Sequence, residues 1–219
     1  MLTSLKMADG GVGPFAPSKI ICVAKNYAAH AAELASTVPA QPTFFMKPNS
    51  ALCDFAGPLH IPQGRGDVHH EVELALVIAK RVRNPDKAGL DVIGGVALAL
   101  DLTLRSVQTQ LREQGYPWEA AKAFAGSCPI TPVQPVASVK DLQDTRIALA
   151  VNGQMRQDDS TALMVYPIDR LLHDATALFG LEAGDVLLTG TPVGVGELQP
   201  GDSYTGWLGE ESYDGTVRG

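Results

Sequence analysis

Apolar residues along the chain occur in short runs that are separated by glycine, proline and other turn-forming residues. Continuous or alternating apolar stretches of this length are typical of strands. We predict strands at residues 19–24, 43–46, 70–79, 94–102, 147–151 and 185–189. The Asn152–Gly153 pair predicts a tight type I′ turn into a further strand at 154–157, because both positions accept positive φ angles.

Three segments have a helical pattern instead. Residues 27–36 are rich in alanine and end before Pro39. Residues 103–114 have two faces, one with Leu104, Val107 and Leu111 and one with Arg105, Gln108 and Arg112. A third helix, over residues 167–179, ends at Gly180, a residue typical of helix C-termini. Many short strands, few helices and no regular βαβ alternation predict a β-rich α+β fold.

Composition limits the class of protein. The chain has 219 residues, 45% of them hydrophobic, and a mean hydropathy of +0.05, which suits one sizeable core. We expect one domain over residues 18–219, preceded by an N-terminal extension over 1–17 that lacks the apolar segment of a secretory signal. The longest apolar runs, such as 94–100, are far shorter than the ~20 residues that span a bilayer.

Charge and cysteine content indicate which partners and which cellular compartment to expect. The formal net charge is -7 and the pI is near 5.1, so we expect neither nucleic acid nor a membrane surface as a partner. Three widely spaced cysteines, at 22, 53 and 128, fit reduced thiols better than a disulfide framework. We therefore predict a cytoplasmic protein.

Carboxylates supply the first candidate chemistry. The period of a strand places Glu71 and Glu73 side by side on one face, and Asp101 ends a long apolar run. Spacing alone favours a solvated strand face for the two glutamates. Asp101 favours a metal site, because an aspartate is almost never buried without a partner. Three oxygen ligands select Mg²⁺ or Mn²⁺ over zinc, while His69 and His70 are more typical of supporting contacts or packing.

Other polar residues stay ambiguous on spacing alone. His30 and Glu33 share a helix face, as either a general base with its orienting carboxylate or a surface pair. Lys122 lies among small and apolar residues, where an ammonium stabilises an enolate or simply extends to solvent. The same question applies to Lys47, Arg105 and Gln108.

Seven motifs in order along the chain carry a specific resemblance: NYAAHAAEL, FFMKP, HHEVELALVI, ALDLTLRSVQ, PWEAAKAFAGSCP, VNGQMRQ and LTGTPVGVG. With them the chain resembles the fumarylacetoacetate hydrolase family, in particular its short acylpyruvase and oxaloacetate-processing members, from about residue 19 to about residue 202. One departure is AKNY at residues 24–27, where many relatives have GRNY. Lys25 cannot reproduce a two-pronged contact from arginine at this position, because lysine lacks the planar fork of arginine.

The resemblance implies a fold and a site. The fold is a mixed β-roll or sandwich with few short helices, assembled as a homodimer. The resemblance further implies a divalent metal ion on three carboxylates, a lid helix with a catalytic pair, and substrate contacts from other polar residues. The implied metal ligands are Glu71, Glu73 and Asp101, the catalytic residues His30, Glu33 and Lys122, and the substrate-binding residues Lys47, Arg105, Gln108 and Thr191.

The function implied is a metal-dependent enzyme that acts on small 2-oxo acids through a pyruvate enolate. We predict C–C bond hydrolysis of acylpyruvates, with decarboxylation and keto–enol tautomerisation of oxaloacetate at the same site. His30, oriented by Glu33, would take a proton from water, and Lys122 would hold the enolate charge. Two alternatives stay open: an isomerase or decarboxylase of 2-hydroxyhepta-2,4-diene-1,7-dioate type, and a non-catalytic, metal-stabilised dimeric binding protein.

Overall fold

The computed structural model describes residues 4–11 and 16–219. Strands make up most of the regular structure in these residues. They are β1 (Lys19–Ala24), β2 (Thr43–Pro48), β3 (Leu52–Asp54), β4 (Pro58–His60), β5 (Val68–His70), β6 (Val72–Ile78), β7 (Ile93–Leu100), β8 (Thr103–Leu104), β9 (Cys128–Ile130), β10 (Arg146–Val151), β11 (Gln154–Ser160), β12 (Val186–Leu188), β13 (Gly196–Leu198), β14 (Ser203–Leu208) and β15 (Glu211–Arg218).

The α-helices are few and short. They are α1 (Ala28–Glu33), α2 (Arg105–Gln114), α3 (Glu119–Lys122) and α4 (Ile168–Phe179). Gly115 ends α2 with a φ of 70°, the left-handed conformation that glycine adopts at little cost. Gly180 follows α4 as predicted. A β-rich α+β fold is therefore confirmed.

A mixed seven-stranded sheet forms the centre of the molecule, in the order β2-β1-β12-β6-β7-β9-β3. Strands β6 and β7 are antiparallel neighbours, with Val72 opposite Leu100 and Ala75 opposite Ala97. Every residue of β6 is buried. The expectation of a half-exposed strand face is therefore wrong, because other elements cover both sides of this sheet.

A five-stranded sheet, β11-β10-β14-β15-β4, packs against the first sheet. The two sheets approach closely at Gly206, where an added Cβ would lie 2.6 Å from a methyl carbon of Leu98 and 2.7 Å from the Phe55 ring. Phe55 also packs edge-on against Tyr204, with ring centroids 5.2 Å apart. This interface is a large part of the hydrophobic core and makes the architecture a curled sandwich.

A small third sheet, β13-β5-β8, lies beside the point where β5 leads into β6. Strand β8 pairs with β5, with Thr103 opposite His69. Residues 103–104 are therefore extended, and the predicted helix over 103–114 begins only at Arg105. The helix predicted over 27–36 is also shorter and ends at Glu33.

The predicted turn at Asn152–Gly153 is confirmed, with φ angles of 52° and 74°. The predicted N-terminal extension lies partly outside the described residues, at 1–3 and 12–15. Its described part packs on the body of the chain, since Leu5 is buried and the Lys6 carbonyl accepts a hydrogen bond from Val133 N–H. In the described parts of the chain, no helix has the length and apolar character needed to cross a bilayer.

Candidate metal centre and active site

Three carboxylates converge where β6 begins and its antiparallel neighbour β7 ends. Glu71 links β5 to β6, Glu73 is the second residue of β6, and Asp101 directly follows β7. The antiparallel pairing holds these positions together, because the Asp101 N–H donates to the Glu71 carbonyl at 2.8 Å. One oxygen from each carboxylate lies within 4.8 Å of the others, and all three residues are buried. The predicted convergence of these side chains is therefore present.

Three cations surround two of these carboxylates. The Lys122 ammonium donates to Glu71 Oε2 at 2.7 Å and to Asp101 Oδ2 at 2.5 Å. The Arg105 guanidinium pairs with Glu71 Oε1. Lys47 Nζ lies 2.8 Å from Asp101 Oδ1, although this oxygen lacks a partner in hydrogen-bond geometry. Burial opposes ionisation of Glu71, but Lys122 and Arg105 outweigh it and hold the pKa of Glu71 well below its usual range.

Glu73 differs from the other two carboxylates. It is only 2% exposed, and its Oε2 accepts a hydrogen bond from Gly190 N–H at 2.6 Å. No lysine, arginine or histidine of the described chain forms an ion pair with it. Burial, followed by the charges of Asp101 and Glu71, raises the pKa of Glu73 well above its usual value. A hard dication placed between these oxygens would remove that repulsion, so the residues fit a Mg²⁺ or Mn²⁺ site.

The loop that follows β12 contributes the backbone donor to Glu73. Gly190 has a φ of +95°, and an added Cβ would lie 2.7 Å from the Cβ of Asn26. Asn26 holds the two segments together, since its Nδ2 donates to the Thr189 carbonyl at 2.9 Å. Close packing at this position therefore requires a residue without a side chain and aims the Gly190 N–H at the Glu73 carboxylate.

A histidine and a glutamate face each other on α1. His30 Nδ1 lies 3.1 Å from Glu33 Oε2, and Glu33 Oε1 accepts a hydrogen bond from Gly194 N–H at 3.0 Å. A carboxylate only accepts, so the His30 proton resides on Nδ1 and leaves Nε2 as the acceptor of the neutral ring. Because His30 is buried beside the pocket, the pair has the arrangement of an oriented general base.

A cleft opens over the three carboxylates. It is lined by Val23, Ala24, Lys25, His30, Leu34, Phe45, Glu71, Glu73, Asp101, Arg105, Gln108, Arg112, Trp118, Lys122 and Thr191. Most residues predicted from the sequence therefore share one pocket. Arg105 Nη1 also donates to Gln108 Oε1 at 2.7 Å, which fixes both side chains on the cleft-facing side of α2.

Lys47 is the exception among the predicted substrate contacts. Its side chain has no exposed surface and does not line the cleft. Its ammonium donates to the Leu102 carbonyl at 3.2 Å, to Ser127 Oγ at 3.0 Å and to the Lys122 carbonyl. Lys47 therefore lies behind Asp101, where it fixes that carboxylate and the ends of β7 and α3.

Several residues of the site were missed by sequence reasoning. Arg112, Phe45 and Trp118 line the cleft, and Gln157 lies behind it, bonded to Thr191 Oγ1 at 2.8 Å. The helical period that aligns residues 105, 108 and 112 was a signal for Arg112. Gln157 ends the motif VNGQMRQ, but its spacing did not assign it to the site. His70 is buried against Gln157 and His69 pairs with Asp67, which agrees with supporting roles.

Comparison with known proteins identifies the family. A model of the fumarylacetoacetate hydrolase C-terminal family matches residues 19–210. The chain belongs to the fumarylacetoacetate hydrolase family. It is 47% identical to oxaloacetate tautomerase YcgM of Escherichia coli, over 90% of this chain and 91% of that protein. It is 39% identical to the mitochondrial oxaloacetate tautomerase FAHD1 of Homo sapiens, over 84% and 83%.

Solved structures of the family have the same fold. A fumarylacetoacetate hydrolase family protein from Yersinia pestis superposes with a TM-score of 0.95 at 41% identity, over 98% of this chain and 99% of that one. The fumarylpyruvate hydrolase of Pseudomonas aeruginosa, solved with Mn²⁺ and pyruvate, gives a TM-score of 0.89 at 32% identity, over 98% and 95%. The mixed β-roll or sandwich implied by the motifs is therefore confirmed.

Proposed function

We propose that this protein is a Mg²⁺- or Mn²⁺-dependent enzyme that acts on small 2-oxo acids through the enolate of pyruvate, with keto–enol tautomerisation of oxaloacetate as its main reaction. The buried carboxylate of Glu73 carries the proposal, since it lies beside Asp101 and Glu71 without a cation of its own. The oxaloacetate tautomerases among its relatives support the substrate. The fumarylpyruvate hydrolase solved with Mn²⁺ and pyruvate supports the metal.

The charges of the buried centre favour an anionic substrate. Glu71, Glu73 and Asp101 in their ionised forms balance Lys47, Lys122 and Arg105. A divalent ion would leave the centre with a net positive charge. Because uncompensated buried charge costs several kcal/mol, this balance favours the carboxylate of a 2-oxo acid over a neutral ketone.

The chain's own residues carry the proton transfers. When bound to the three carboxylates, a divalent ion supplies Lewis-acid stabilisation of negative charge on a substrate oxygen. Lys122 places an ammonium at the same carboxylates and stabilises an enolate from the protein side. His30 Nε2 takes a proton from C3 of the keto form, and that proton is returned to the 2-oxygen to give the enol. Arg105 and Gln108 hold the substrate oxygens during the exchange.

Acylpyruvate hydrolysis is the second candidate, and the pair of His30 and Glu33 favours it. Here His30 Nε2 takes a proton from water, and the resulting hydroxide attacks the distal acyl carbonyl. The C–C bond breaks, its electron pair remains on C3 as the enolate, and a carboxylic acid leaves. Proton transfer to C3 then yields pyruvate. The same positioned groups therefore serve both reactions.

The test measures the ultraviolet absorbance of enol-oxaloacetate and of acetylpyruvate with the purified protein. We expect turnover with Mg²⁺ or Mn²⁺ and loss of turnover with excess EDTA. Lys122→Met should abolish both reactions, while Lys140→Met, which removes a lysine far from the cleft, should leave both unchanged. Failure of both substrates with either metal would refute the proposal.

Glu33→Gln tests the role of the His30–Glu33 pair in hydrolysis. The amide keeps the shape of the side chain but removes the negative charge beside His30. We expect hydrolysis of acetylpyruvate to fall by roughly a hundredfold, since general-base assistance contributes about 10²–10⁴ in rate, with Mg²⁺ affinity unchanged. Equal hydrolysis by variant and wild type would remove the pair from the hydrolytic mechanism.

A further inference from the structure

Gln157 of β11 is a fully buried side chain with four polar contacts. Its Oε1 lies 3.0 Å from Val72 N and 3.0 Å from His70 Nδ1. Its Nε2 lies 2.8 Å from Thr191 Oγ1 and 2.8 Å from the Pro192 carbonyl oxygen. It thus joins the start of β6, next to Glu71 and Glu73, to the loop that brings Thr191 into the cleft.

Two backbone groups determine which way the Gln157 amide points. The Val72 N–H only donates, so it requires Oε1 as its acceptor. The Pro192 carbonyl only accepts, so it requires Nε2 as its donor. Both requirements agree, and the opposite orientation would leave two buried groups unpaired at about 1–3 kcal/mol each. Hydrogen-bond chemistry therefore determines the orientation of the amide.

The direction of the amide determines the direction of the Thr191 hydroxyl. Gln157 Nε2 offers only hydrogens, so Thr191 Oγ1 must accept from it. The hydroxyl hydrogen of Thr191 must then point elsewhere. Thr191 is 3% exposed and lines the cleft, and no described residue accepts a hydrogen bond from its Oγ1. Its hydrogen is therefore available to an oxygen that enters the cleft.

We propose that Gln157 is a positioning residue that makes Thr191 a dedicated hydrogen-bond donor to an oxygen of the bound 2-oxo acid. A free threonine hydroxyl donates or accepts by rotation, whereas this one is held in the donor role. A fixed donor aimed at the oxygen where charge develops favours the enolate without reorganisation during the reaction. The inference deepens the proposed function and rests on it.

The test is a double-mutant cycle on kcat/KM for oxaloacetate. Gln157→Glu keeps the shape but replaces the amide donor with an acceptor, so the Thr191 hydroxyl turns away from the cleft. Thr191→Val removes the hydroxyl outright. We expect each change to lower kcat/KM at least about tenfold, as for loss of one positioned donor. Thr191→Ser, which keeps the hydroxyl, should recover most of the loss.

Non-additivity is the expected signature. If Gln157 acts through Thr191, Gln157→Glu adds less than about twofold in a Thr191→Val background, because the hydroxyl it controls is absent. Gln154→Glu, the same change at the exposed start of β11, serves as the matched control. Full additivity, or no loss in Thr191→Val, would overturn the inference.

A binding measurement keeps the inference testable without turnover. Oxalate is a planar dianion whose adjacent oxygens mimic the carboxylate and enolate oxygens of pyruvate enolate. Calorimetric titration of oxalate into the Mg²⁺-loaded protein should show the same loss in Thr191→Val and the same recovery in Thr191→Ser. If Gln157→Glu does not fold, equal oxalate affinity of Thr191→Val and wild type still refutes the inference. Absence of turnover in the wild type refutes the proposed function instead.

Discussion

Folding buries the carboxylate of Glu73 without supplying a cation to form an ion pair with it. Glu71 and Asp101 each have lysine or arginine partners, while Glu73 has the backbone N–H of Gly190. A buried carboxylate in that position is costly for the folded chain unless it holds a proton or a metal ion. The site is therefore better suited to the metal-bound form than to the metal-free form.

Glu73→Gln tests this directly by thermal melting. The isosteric amide removes the repulsion, so the metal-free variant should melt at or above the wild-type temperature. The wild type should gain about 2.7 kcal/mol at Mg²⁺ a hundredfold above Kd, which corresponds to roughly 5–10 °C in a chain of this length. The variant should gain none of it. Glu119→Gln, on the exposed side of α3, should keep the full shift, and a Glu73→Gln variant that did so would refute this ligand assignment.

His70 gives a second prediction at the residue scale. Burial lowers the pKa of His70 to about 4, below the value of ~6.5 in an unfolded chain. As the pH falls below ~6.5, the unfolded state takes up a proton that the folded state excludes, so stability decreases towards about pH 4. The loss amounts to about 3 kcal/mol for this residue. At neutral pH, where both states are uncharged, the contribution vanishes.

Urea unfolding at about pH 7 and about pH 5 measures this effect. His70→Asn should be less stable at neutral pH but lose less stability on acidification than the wild type. His60→Asn, at an exposed position, should show the wild-type pH dependence. The same acid-induced loss in His70→Asn as in the wild type would contradict the prediction.

Helix α2 presents three polar residues to the cleft at successive turns. Arg105 is engaged with Glu71 and Gln108. Arg112, one turn further, lines the cleft and has no ion pair with any residue in the described ranges. Its position towards the exposed end of the helix suits the substrate carboxylate that lies farthest from Glu71, Glu73 and Asp101.

Arg112→Gln should therefore discriminate between substrates. We expect its KM for oxaloacetate to rise about tenfold, because a hydrogen bond to a charged group contributes roughly 1.5 kcal/mol. The KM for acetylpyruvate, which has a methyl ketone in place of the second carboxylate, should change little. Arg112→Lys should restore part of the affinity. Equal increases in KM for both substrates would show that Arg112 affects the pocket as a whole and does not recognise the second carboxylate.

At the scale of the whole molecule, the sequence predicted local features better than long-range ones. The strand at 19–24, the turn at Asn152–Gly153 and the end of α4 depend on neighbours in the chain, and all were confirmed. The three carboxylates were found because strand period and an apolar run place them at strand ends. The contacts of Gln157 span 34 to 87 positions along the chain, so no local pattern encodes them.

Burial was the other property that the local pattern misjudged. The alternation of β6 suggested one solvated face, but the strand lies between two layers and every residue is covered. Lys47 shows the same difficulty. It was predicted to contact the substrate, but its side chain is enclosed behind Asp101. A charged residue in a short strand is ambiguous until the layers that cover it are known.

Assembly as a homodimer stays a prediction from the family motifs. Light scattering of the purified protein should give a mass of twice 23.1 kDa over the micromolar range. Dilution should not shift this mass if the interface is a large, permanent one. A mass of 23.1 kDa at every concentration would contradict the prediction.

The carboxylate of Glu33 makes two contacts, one with the imidazole on its own helix and one with the backbone of Gly194. Movement of α1 away from the loop over residues 189–196 breaks the contact with Gly194, so the carboxylate that orients the imidazole is no longer anchored. Close packing of α1 on this loop and alignment of the imidazole are coupled. A ligand that favours the first therefore also increases the fraction of molecules with an aligned imidazole. An open cleft would thus hold a poorly aligned base, and proton abstraction would be confined to molecules that have enclosed their substrate.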